Sequence, residues 1–142
     1  MQVHATQFWL KIASAIVIGF GGVIALAALP ATAGPTLFLT DLIFWPVDGA
    51  QSLSAPETRL FCAIDGGLLA GWGVMLWLVT TQLYPREPEL ARTMILYGIG
   101  VWFVIDSLGS IAARAPLNAL FNVGFLLAFV LPLKRSMERA AM

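Results

Sequence analysis

Four apolar runs, separated by short polar breaks that carry proline, set the pattern of this chain. Residues 12–29 contain no charged side chain, and residues 60–83, 93–112 and 116–133 are apolar apart from an occasional acid or amide. Each run is close to the roughly 20 residues a helix needs to cross a bilayer core. The pattern predicts an all-α, polytopic membrane protein. It would be a single domain over residues 1–142, a four-transmembrane-helix antiparallel bundle.

The breaks refine this picture. Residues 1–11 read as a short polar tail, with Phe8 and Trp9 at the interface and Lys11 snorkelling. Pro30, Gly34 and Pro35 end the first run. Residues 36–45 (TLFLTDLIFW) are too short to cross and predict an interfacial or re-entrant segment in the first outer connection. Ser54-Ala55-Pro56-Glu57 has the form of a capping box, which would start the second helix at residue 55. Residues 84–90 (YPREPEL) make a tight charged turn, and Arg114-Ala115-Pro116 joins the last two helices directly. Ala31-Thr32-Ala33 also matches a signal-peptidase site, so residues 1–33 read either as a retained span, which the long apolar run and the single Lys favour, or as a cleaved leader.

Composition supports the membrane reading and excludes other classes. Of 142 residues, 59% are hydrophobic and 11% charged, far from soluble proportions. Eight Lys and Arg balance eight Asp and Glu, with no basic cluster, which argues against nucleic acid. A single cysteine, Cys62, allows neither an intrachain disulfide nor a cysteine metal cage. The one histidine, His4, falls in the predicted tail, so no metal site and no cofactor is expected.

Charge distribution predicts orientation. Lys11, Arg86, Arg92, Lys134, Arg135 and Arg139 fall on one side, and only Arg59 and Arg114 on the other. This bias places both termini in the cytoplasm of a bacterial inner membrane, with the 30–59 connection outward. Asp65, Asp106 and Asn122 then lie at one depth, roughly 8–9 Å below the outer surface. Asn118, Ser107 and Ser110 are close in sequence, and Arg59 and Arg114 are candidate counter-ions. An acid inside a span costs roughly 2.5–3.5 kcal/mol on insertion scales, so these residues are expected to face a shared interior. The layer would either bind a small molecule, ion or proton, or fix helix packing. Ala63, Gly67 and Gly71 form a small-xxx-small stripe for helix packing. Asp65 stands about 200° away from Ala63, on a face with Leu69, Trp72 and Leu76. Trp72, Trp77 and Trp102 are expected in packing.

The glycine-rich second span (GGLLAGWG, residues 66–73) and the third span ending in Asp106-Ser107-Leu108-Gly109 resemble the DoxX-like group of small four-helix bacterial membrane proteins, over about residues 55–133. The resemblance implies architecture and no functional residue.

The expected role is a non-enzymatic accessory, scaffold or assembly subunit. It would act through helix–helix contacts with other membrane subunits or by self-association, and through the 30–59 connection. The competing role is an oligomeric transporter or channel subunit built on the layer around Asp65 and Asp106. The Ile64-Asp65-Gly66 and Ile105-Asp106-Ser107 contexts lack the motifs of intramembrane aspartyl proteases, and no Ser–His pair supports another hydrolase.

Overall fold

The computed structural model describes the backbone of residues 2–140 and the side chains of residues 4–134, so the side chains of Arg135 and Arg139 lie outside the described residues. All the described regular structure is helical: α1 (Gln2–Leu26), a 3-10 turn (Pro30–Thr32), α2 (Gly34–Ile43), α3 (Pro56–Leu78), a π turn (Val79–Leu83), α4 (Pro88–Ala112) and α5 (Pro116–Ala140). Four of these helices are long and apolar enough to cross a membrane, His4–Leu26, Pro56–Leu83, Pro88–Ala112 and Pro116–Lys134. Their outward faces carry large apolar side chains such as Leu68, Ile105 and Leu120, which suits a multi-pass membrane protein.

α1 begins ten residues before the predicted span and ends three residues sooner. The supposed tail is helix because Thr6, Leu10, Ala13 and Val17 recur at helical spacing and are all buried. His4 therefore sits at the edge of the first candidate span, where it is exposed. The other boundaries hold within a few residues, except that α5 runs on past residue 133 to Ala140.

The predicted capping box does not form. Ala55 is the N-cap of α3, with Pro56 behind it, and the Ser54 hydroxyl pairs with Ser52 at 2.8 Å. One residue of offset puts Thr58 where Glu57 would have had to stand for the reciprocal bond.

α1 packs most extensively on α3, α4 on α5, and α1 also on α5. The α1–α3 contact is made by glycines on facing turns. A Cβ on Gly66 would lie 2.5 Å from the Gly21 carbonyl oxygen and against the backbone nitrogen of Ala25. A Cβ on Gly21 would lie 2.7 Å from the Gly66 carbonyl oxygen. Gly73 meets Ile18 in the same way, 2.8 Å from its backbone nitrogen. The stripe predicted for packing, Ala63, Gly67 and Gly71, is instead exposed, with nothing of this chain within 4 Å of a Cβ on either glycine. Gly66, Ala70 and Gly73, four and three residues apart, run one step round the helix, and α1 settles on them.

A core of Leu10, Val17, Leu76, Ile95, Ile99 and Phe129 joins all four long helices. Trp72 of α3 meets Trp102 of α4 at 5.8 Å between ring centroids, and Trp102 meets Phe125 of α5 edge-on at 6.0 Å. Trp77, expected in packing, faces outward.

At the opposite end of this core from α2, the π turn diverts the Tyr84 N–H to the Val79 carbonyl. The Thr80 carbonyl loses that donor and takes one from Gln7 Nε2 at 3.0 Å. The Thr80 hydroxyl is the one buried side-chain oxygen or nitrogen among the described residues without a hydrogen-bond partner.

Candidate functional site

Asp106, Ser110, Asn118 and Asn122 come together where α4 turns into α5. Ser107, one residue past Asp106, belongs to the same cluster. The turn is a Schellman motif. The Arg114 N–H donates to the Ile111 carbonyl at 3.0 Å, and the Ala115 N–H donates to the Ser110 carbonyl at 2.8 Å. Arg114 adopts φ 60°, the left-handed conformation this motif needs and glycine usually supplies. Pro116 then opens α5, with the Asn118 N–H on the Ala115 carbonyl at 3.0 Å. So short a connection sets the last turn of α4 beside the first turn of α5.

Two polar rungs cross this junction. In the first, Asn118 Nδ2 donates to Asp106 Oδ1 at 3.2 Å and to Ser110 Oγ at 2.9 Å. The Ser110 hydroxyl in turn reaches the Asp106 carbonyl at 2.7 Å and Oδ1 at 3.1 Å. In the second, one turn further along α5, Asn122 Nδ2 donates to Ser107 Oγ at 3.3 Å. Ser110 and Asn122 are buried, and Asp106 and Asn118 half-buried. A carboxylate accepts hydrogen bonds and gives none, so its partners must turn their N–H and O–H groups toward it.

The first rung borders a cavity of about 350 Å³, lined by Ile43 and Phe44 at the end of α2, by Asp106, Gly109 and Ser110 of α4, and by Asn118 of α5. α2 is thus a wall of the site. Among the described residues no group of three or more His, Cys, Asp or Glu side chains converges as metal ligands.

Asp65 does not join this set. It is exposed, and no hydrogen bond or ion pair links it to Asp106, Asn118, Asn122 or any other described residue. Leu69, Trp72 and Leu76, on its own face of α3, do pack into the core. Equal depth had suggested one layer, but α3 is pinned to α1 through Gly66, and its contact with α4 is made lower down, by Trp72. The two arginines are not counter-ions either. Neither Arg59 nor Arg114 pairs with an acid, and the ion pair formed by the described side chains is Arg92–Glu89. The αL turn places Arg114 outside the junction, exposed.

Sequence reasoning missed Asp41, the one carboxylate among the described residues that is buried. It accepts from the Gly49 N–H at 2.7 Å and the Gln51 N–H at 3.4 Å, tying the 44–55 loop back onto α2. Gly49 holds φ 72° and Asp48 accepts from the Ala50 N–H at 3.0 Å, which completes the turn that brings those amides round. The Trp45–Pro46 peptide is cis in this loop. Cys62 is buried beside Ala27 and Ala33. The signal for Asp41 was an acid within a short apolar segment, followed by an Asp-Gly turn.

Comparison with family profiles, with curated proteins and with solved structures finds no match.

Proposed function

We propose that this chain is a non-enzymatic accessory or assembly subunit of a bacterial inner membrane. In this reading its helices form an antiparallel bundle, both termini face the cytoplasm, α1 is retained as a span, and α2 lies along the outer interface. One observation carries the proposal: the Asp65 carboxylate is exposed and unpartnered within the candidate span Pro56–Leu83. Left facing lipid, it costs roughly 2.5–3.5 kcal/mol on insertion scales. A partner helix that offers a donor at that depth removes the cost and gives the acid a purpose. The ordered 44–55 loop, held by Asp41, presents a second surface at the same end of the molecule.

The test is purification in mild detergent from the membranes that make the protein. A second membrane polypeptide in fixed stoichiometry is expected with the wild type. It should fall at least about tenfold with Asp65→Leu, an effect of the size expected from one hydrogen bond to a charged group. The variant itself should insert and unfold like the wild type. Recovery of a homo-oligomer would favour the transporter or channel role instead. A monomer whose composition ignores the substitution contradicts both.

A further inference from the structure

We propose that the cavity at Asp106 and Asn118 binds a primary ammonium group. Both N–H bonds of the Asn118 amide are used, one on Asp106 Oδ1 and one on Ser110 Oγ. The Ser110 hydroxyl proton is used on Asp106. Among the described residues, Asp106 Oδ2 and Asn118 Oδ1 receive no donor. The polar side chains on the cavity therefore offer two unused acceptors and no unused donor, and they include one acidic group and no basic one.

Such a site selects by charge and by hydrogen count. An anion finds nothing to donate to it. A hard metal ion needs six or more oxygen ligands, and the site has one carboxylate and one amide oxygen to give. An ammonium group with N–H bonds satisfies both acceptors, and Phe44 supplies an aromatic wall. A quaternary ammonium has the charge but no N–H, so it leaves both acceptors unmet. Ser110, itself 7% exposed, holds Asp106 in place from the buried side. At ~30 Å³ per water, the cavity has room for a small headgroup and more. The same chemistry comes from a lipid, phosphatidylethanolamine, or from a free amine such as ethanolamine. The inference is independent of what covers Asp65.

The experiment uses the full chain. In one arm it is equilibrated with mixed phosphatidylethanolamine, phosphatidylcholine and phosphatidylglycerol, and the retained lipids are counted by native mass spectrometry. In the other arm it is placed in phosphatidylcholine nanodiscs and titrated with ethanolamine in a calorimeter. A lipid source gives about tenfold preference for phosphatidylethanolamine over phosphatidylcholine, the value of one charge-assisted bond. A soluble source gives no lipid preference but saturable ethanolamine binding. Either signal should vanish in Asp106→Asn and persist in Asp65→Asn. Gly109→Leu adds bulk to the cavity wall while keeping the carboxylate, and a Cβ there has open space, so it should fold and lose the same signal. Absence of both signals in the wild type overturns the proposal, as does either signal surviving Asp106→Asn and Gly109→Leu.

Discussion

Replacing Gly66 by leucine is expected to drive α1 away from α3. The atoms a side chain would meet are backbone: the Ala25 nitrogen, its Cα and the Gly21 carbonyl oxygen, the last at 2.5 Å. Backbone cannot rotate aside as a flexible side chain can, so the helices must separate. The loss of stability should be about 3 kcal/mol or more, the upper range for an overfilled contact. Gly21→Leu acts at the same contact from the other helix, with Gly66 and Ala70 backbone in the way. The double variant should therefore cost much less than the sum of the two. Gly67→Leu and Gly71→Leu should leave the isolated chain's stability nearly unchanged, since neither Cβ has a neighbour. Reversible unfolding in mixed micelles measures all five variants. Equal losses at Gly66 and Gly67 would show that α1 does not pack as described.

Removing the Asp41 carboxylate should release the 44–55 loop and spare the helices. Asp41→Ala takes the acceptor from the Gly49 and Gln51 N–H groups at once. Hydrogen bonds to a charged group contribute about 1.5–3 kcal/mol. Amide exchange at those two residues should accelerate roughly 30- to 150-fold, which is 2–3 kcal/mol at 1.4 kcal/mol per tenfold. Exchange in α3 and α4 should be unaffected. Asp41→Asn keeps one acceptor oxygen and should fall between. If exchange at Gly49 and Gln51 is the same in wild type and Asp41→Ala, the loop is not held by this residue.

The parts of the fold that were legible in the sequence are those written in local chemistry. Pro88 and Pro116 mark two helix starts, and charged or tight turns mark the ends before them. The contact between Asp106 on α4 and Asn118 on α5 was readable because only Ala113, Arg114 and Ala115 separate the end of α4 from Pro116, so depth and neighbourhood were fixed together. Asp65 fails the same reasoning. Charge bias sets how deep a residue lies, but not which neighbour a helix leans toward, and α3 leans on α1. The two small-residue stripes on α3 illustrate the same limit. Ala63, Gly67 and Gly71 match the packing pattern as well as Gly66, Ala70 and Gly73 do, and only the position of α1 decides between them. The early start of α1 was hidden by polarity, because Thr6 and Gln7 read as tail. Gln7 is drawn in by the π turn, where the Thr80 carbonyl takes a donor from outside its own helix.

The central claim is that a protein partner covers Asp65 in the membrane. It is tested most directly by placing a photoreactive residue at position 65 of the chain in intact membranes. Leu120, an exposed apolar position on α5, serves as the reference. A discrete polypeptide adduct is expected from position 65 and lipid adducts from position 120. Lipid adducts alone from both positions would contradict it.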